Sequence, residues 1–121
     1  MAIDFSLTPE LEAIRTRIRT FVDDVIRPGG EIIDGHGDAP ALEGADRIKA
    51  LIGMRKQAHA EGLWLPHMPT EWGGMGLGHV ELAMVQAEAA RSYYGPWVLN
   101  CQAPDEGNMH TLLHWATDAQ K

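Results

Sequence analysis

The sequence predicts an all-α fold, a helical bundle of about four main helices in one domain spanning residues 1–121. Three observations predict it. No segment sustains the apolar–polar alternation of a half-buried strand. Several segments repeat apolar residues at three- and four-residue steps. Clusters of glycine and proline separate those segments, as loops between packed helices do. A chain of 121 residues suits a single domain and can bury roughly two-thirds of its unfolded surface.

The first helix opens at Thr8-Pro9-Glu10. Thr8 can cap, Pro9 suits the first helical position, and Glu10 and Glu12 complement the positive end of the helix dipole. Leu11, Ile14, Ile18, Phe21, Val22 and Val25 then form one apolar stripe. The helix is expected over Pro9–Arg27, ended by Pro28, Gly29 and Gly30, because proline cannot continue the hydrogen-bond ladder. Gly29 to Gly44 reads as a glycine-rich loop; some helix can persist across Glu31–Ile33, though glycine disfavours it. Asp46 can cap a second helix whose Ile48, Leu51, Ile52, Arg55 and Ala58 share a face, with Gly62 as a left-handed stop.

Leu63 to Gly78 is irregular by composition, with Pro66, Pro69 and four glycines. A third helix is expected over His79–Tyr93, with Val80, Ala83, Met84, Ala87 and Ala90 in phase, closed by Gly95-Pro96. A fourth is expected over Pro104–Trp115, with acids in its first turn and Met109, Leu112 and Leu113 facing inward. Gly107 and Asn108 weaken its local propensity.

Composition excludes several classes of function. A net charge of −7 argues against nucleic acid and anionic membranes, which reward Lys and Arg. Arg15 and Arg19 share a helical face, which by itself reads as solvated surface. No stretch approaches the ~18 apolar residues of a membrane span. Met1 to Glu10 lacks the basic region and apolar run of a signal peptide. The single cysteine, Cys101, cannot form an internal disulfide, and the chain reads as cytoplasmic. It has no identifiable activating base, so a buried or pocket-lining thiol is the better reading.

The motifs that invite chemistry each have a plainer explanation. Gly73-Gly74-Met75-Gly76-Leu77-Gly78 precedes a helix, yet matches neither phosphate-loop pattern and follows no strand. It reads as a tight turn needing positive φ and close backbone packing. His110 and His114 have the spacing of a zinc helix, but Thr111 replaces the needed Glu and no third ligand is evident, so no metal site is assigned. Asp105 and Glu106 are adjacent, point about 100° apart on a helix, and fit helix-start acids. Trp64, Trp72, Trp97 and Trp115 share no helical spacing; core or interface filling is the default. No catalytic residue is assigned.

Two runs carry a family resemblance. Gly62-Leu63-Trp64 through Pro69-Thr70-Glu71-Trp72-Gly73-Gly74-Met75-Gly76 resembles the Pro–x–Glu–aromatic–Gly–Gly–x–Gly segment of the amino-terminal domain of acyl-CoA dehydrogenases. Asn100-Cys101-Gln102-Ala103-Pro104-Asp105-Glu106-Gly107-Asn108-Met109 is similar to a run in relatives that accept longer or modified acyl chains. Gln120-Lys121 matches the place where family members begin their next helix.

The resemblance implies α,β-dehydrogenation of acyl-CoA thioesters, with a carboxylate taking the α proton and FAD taking the hydride. It implies that the middle β domain and carboxy-terminal helical domain lie outside these residues, together with the catalytic base and most of the flavin site. The chain alone is therefore expected to be inactive and to bind no FAD, with unknown cofactor contacts. The remaining domains, acyl-CoA and a further copy in a homo-oligomer are the implied partners. Asn100, Cys101, Ala103, Pro104 and Asp105 match positions lining the distal acyl pocket. Asn100 or Asp105 offers polar contact, and Ala103 leaves room for length. A stand-alone assembly module, with Trp64, Trp72 and Trp97 on an exposed apolar face, and a non-redox acyl-CoA binder are the alternatives.

Overall fold

The computed structural model describes residues 2–121. Met1, the first residue of the stretch read above for a targeting signal, lies outside the described residues. The described chain is helical, with no strand among the described residues. Its elements are α1 (Pro9–Phe21), a π-turn (Val22–Ile26), α2 (Arg27–Asp34), α3 (Gly44–Ala60), a 3₁₀ turn (Thr70–Trp72), α4 (His79–Ala89), α5 (Gly95–Leu99) and α6 (Asp105–Trp115). No helix is long and apolar enough to cross a membrane among the described residues.

The start of α1 forms as expected. The Leu11 amide donates to Thr8 Oγ1 at 3.3 Å, and Pro9 occupies the first turn. The stripe reaches the core through Ile18, Phe21 and Val22, with Ile26 continuing it.

Pro28 does not end this helix, contrary to expectation. The backbone widens into the π-turn, where the Arg27 amide bonds back to the Val22 carbonyl, and runs on as α2 to Asp34. The wide turn resets the ladder just before Pro28, so the missing N–H is accommodated near the start of α2. Gly29 and Gly30 are places of close approach instead of breakers. A Cβ on Gly29 would lie 2.5 Å from Met54 Sδ, and one on Gly30 2.9 Å from the Tyr94 ring. Helix α2 thus packs on α3 and on the start of α5, and Gly35 begins the actual loop.

Two helix faces agree only in part with those expected. In α3 the chain starts at Gly44, ahead of Asp46; of the expected face Ala58 is buried, Leu51 and Arg55 are half-buried, and Ile48 and Ile52 are exposed, while Met54 is buried as well. In α4 the expected Val80, Ala83, Ala87 and Ala90 are exposed, and Leu82, Val85, Glu88 and Ala89 are buried. Helix α4 is rich in alanine, so sequence periodicity gives its phase weakly. The deciding contact is ionic: Glu88 accepts from Arg19 Nε and Nη2 at 3.0 and 2.5 Å. Arg19 is thus no merely solvated residue, because it neutralises the one carboxylate α4 turns inward.

Gly95-Pro96 likewise opens a helix instead of closing one. Pro96 lies in the first turn of α5, and the short helix carries Val98 and Leu99 into the core. The main cluster gathers Ile18, Val22, Ile26, Ile33, Val85, Val98 and Leu99, all fully buried. Tyr94 ties three elements to its rim. Its hydroxyl donates to Asp34 of α2 and accepts from Arg47 of α3 at 2.8 Å.

Candidate functional site

The run from Asn100 to Asp105 connects α5 to α6. Asn100 terminates α5 in the left-handed region, φ 55°, a conformation asparagine tolerates better than most residues. It is buried, and its side-chain Oδ1 has no hydrogen-bond partner. Cys101 joins the hydrophobic core, where burial and then the charge of Glu106 push its thiol pKa up to about 12. Such a thiol stays protonated near neutrality and is no nucleophile. Ala103 and Pro104 are exposed and joined by a cis peptide bond, and Asp105 is partly buried. The run therefore presents Ala103 and Pro104 outward and keeps Asn100 and Cys101 inside.

Backbone and polar contacts hold the run. The Cys101 amide donates to the Pro96 carbonyl at 2.9 Å. Gln86 of α4 bridges the run to α6, donating from Nε2 to the Cys101 carbonyl at 3.1 Å and to Glu106 at 2.8 Å. The buried His67 places Nε2 3.0 Å from the Asn100 carbonyl oxygen and Nδ1 3.2 Å from His110 Nε2. His110 in turn stacks on His114 at 6.2 Å between centroids. Sequence reasoning singled out His110 and His114 for their mutual spacing. The partner it missed, His67, is distant in the chain and carries no local signal.

The glycine segment is built as a structural turn. Gly73 and Gly76 have φ of 81° and 65°. A Cβ on Gly74 would lie 2.0 Å from the Met68 carbonyl oxygen, a position only glycine fits. The amides of Gly73, Gly74, Met75, Gly76 and Leu77 donate to the carbonyls of Thr70, Pro69, Leu65, Met68 and Pro66. These donors are spent within the segment, which leaves none of the five to cradle a phosphate.

The tryptophans divide differently from the expected shared face. Arg55 lies over the Trp97 ring at 3.5 Å and the Trp64 ring at 5.1 Å, and donates to the Trp97 carbonyl at 3.0 Å. Trp64 and Trp97 are thus half-buried partners of a cation. Only Trp72 of the expected trio is exposed, joined by Trp115. The position of Arg55 within the apolar face of α3 was the available signal.

Helix α6 has no buried residue. Met109, Leu112 and Leu113, expected to face inward, line an open apolar groove with Met68, Trp72 and Lys121. Its volume is about 140 Å³, below the roughly 300–1,000 Å³ of a complete small-molecule site. It is an open apolar surface, without the polar donors and length that a flavin requires. These residues do not fit FAD as a self-contained site. Among the described residues no cluster of three His, Cys, Asp or Glu is placed to hold a metal.

Comparison with known proteins agrees with this architecture. The family described as "Acyl-CoA dehydrogenase, N-terminal domain" matches residues 8–121. Human acyl-CoA dehydrogenase family member 11 is 38% identical over 68 residues, which cover 56% of this chain and 8% of that protein. Mouse acyl-CoA dehydrogenase family member 10 is 38% identical over 123 residues, covering 95% of this chain and 11% of that protein. A probable acyl-CoA dehydrogenase of Mycobacterium tuberculosis is 25% identical over 119 residues, covering 98% of this chain and 29% of that protein. The chain thus spans a small part of the length of these relatives. No solved structure matches it.

Proposed function

The chain belongs to the acyl-CoA dehydrogenase family as an amino-terminal domain, and from that premise we propose that it supplies one wall of the acyl pocket in a flavin-dependent dehydrogenase of acyl-CoA thioesters. The observation that carries the reading is the apolar groove of Met68, Trp72, Met109, Leu112 and Leu113, reached directly from the Asn100–Asp105 run by α6. A wall of this kind is completed by other domains, which would bring the flavin, the catalytic base and the rest of the groove. In that setting FAD supplies the hydride acceptor. This chain's residues bind and orient: the groove excludes water from the acyl tail, and the Asn100–Asp105 run, which leads into α6 without lining the groove, sets how long or how substituted that tail can be.

Asn100, Cys101, Ala103, Pro104 and Asp105 are the residues assigned to the distal pocket. Asn100 and Cys101 shape it from behind, while Ala103, Pro104 and Asp105 have atoms at the surface. The test is Asn100→Ala in a complete enzyme that carries this domain. A changed KM or chain-length preference supports the assignment, and an unchanged profile across acyl-CoAs of several lengths overturns it.

The exposed Leu112, Trp72 and Trp115 favour a second reading, that this face docks on further domains or a further copy. Light scattering decides that point for the 121-residue chain. Concentration-dependent association supports it, and a monomer throughout counts against it.

A further inference from the structure

Helix α6 contributes no buried side chain, yet side-chain hydrogen bonds tie it to α4 and to the segment that carries His67. The ties are Gln86 to Glu106, and His110 to His67. We infer that the His67–His110 pair is a proton-operated latch that docks α6 while the two rings hold at most one added proton between them and releases it when both are charged.

Hydrogen-bond chemistry sets the logic. His67 Nε2 faces a carbonyl oxygen, that of Asn100 at 3.0 Å, so the neutral ring must carry its proton there. Its Nδ1 is then an acceptor, and His110 Nε2, 3.2 Å away, must be the donor. Both tautomers are fixed by one carbonyl. A first added proton leaves a single N–H between the rings, whichever ring takes it, and the bond survives as a charge-assisted one. A second proton puts an N–H on each facing nitrogen and two like charges against each other. Nothing in that state holds the rings together.

The surroundings favour the less-protonated states. Burial lowers the pKa of His67 below its ordinary 6.5; the Asn100 carbonyl and Glu106 oppose the shift, and His110 adds to it. From α6, Glu106 is the carboxylate facing the pair, and it is engaged by Gln86. His114 stacks on the far side of His110. Glu71 lines the same surface depression as His67. Helix α5 offers no charged side chain, and α4 presents the neutral Gln86. The sign follows: the released chain binds protons more readily than the docked one, so docking strengthens as pH rises and weakens progressively once pH falls below about 6.5, the ordinary histidine value.

Amide hydrogen exchange of the 121-residue chain, corrected for intrinsic rates, reads the docking of each helix. Between about pH 7.5 and 5.0, α6 protection should fall by about threefold or more relative to α1. His67→Gln keeps a donor for the Asn100 carbonyl and cannot titrate, so the fall should flatten. His114→Asn should retain it. Unchanged α6 protection in the native chain, or an undiminished fall in H67Q, overturns the latch. So does loss of the fall in H114N. Ring ¹⁵N spectra of the native chain decide independently of any variant. Both rings should be Nε2–H tautomers at pH 7.5, and an Nδ1–H tautomer on neutral His67 overturns the inference.

Discussion

The half of the domain built from α1, α2, α4 and α5 differs sharply from the end formed by α6 and the glycine segment. In the first, Ile18, Val22, Ile26, Ile33, Val85, Val98 and Leu99 are fully buried, and even the inward carboxylate of Glu88 has a cation. In the second, α6 buries nothing completely, and Leu112, Trp115 and Trp72 face outward. Apolar residues are present in both, so composition does not separate them. The first region is finished by its own chain. The second leaves its apolar residues facing outward and is tied on by hydrogen bonds between side chains and by the turn at Gly73–Gly76. A domain whose own stability resides in one region is free to use the other for contacts outside itself.

Three substitutions probe that contrast by chemical denaturation. Ile26→Ala should have the largest effect, about 3 kcal/mol of lost stability, because it leaves a cavity among fully buried neighbours. A cost below about 1 kcal/mol would mean that the core is looser than its burial suggests. Glu88→Gln should cost about 2 kcal/mol, by removing the charge that Arg19 engages from two nitrogens. The hydrogen bond from Arg19, opposed by burial, holds the Glu88 carboxyl below its ordinary 4.5. A lowered folded-state pKa stabilises above the ordinary value and is lost as pH falls through the folded one. The gap between native and variant should therefore close at acid pH, and a gap constant with pH would assign the effect to packing instead. Leu112→Ala should be the smallest, below about 0.5 kcal/mol in this chain, since its side chain is half exposed already. A loss comparable to that of Ile26→Ala would erase the distinction between the two regions.

What sequence could and could not disclose divides along the same line. Local devices were legible. Thr8 and Pro9 mark the start of α1, and the glycines at 73, 74 and 76 announce a turn that other residues cannot make. The all-helical class followed from periodicity. Features decided by a distant partner were not legible. Pro28 and Pro96 read as stops, but tertiary packing of Gly29 on Met54 and of Val98 in the core makes both of them helical. The faces of α3 and α4 are only partly legible because their apolar residues are spread around the helix. Arg19 beneath Glu88 marks the inward side of α4, and Gly29 against Met54 marks that of α3. At the candidate site, the resemblance led to Asn100–Asp105, while His67, Gln86 and the ring partners of Arg55 came into view only through the fold. Each acts through a residue far along the chain, and no spacing rule reaches that far.

The wide turn at Val22–Ile26 has a consequence for how this chain tolerates length changes. A π-turn holds one residue more than the α-helix it interrupts, so it absorbs that residue locally and leaves the straight segments on either side in phase. Removing a single residue there would let the ladder close as a regular helix with Ile33 still facing the core and Gly29 and Gly30 still against Met54 and Tyr94. The same deletion within the straight part of α1 would rotate everything after it by about 100°. Along this part of the chain the unit under constraint is angular register, and the wide turn is a place where a residue can be lost without changing it.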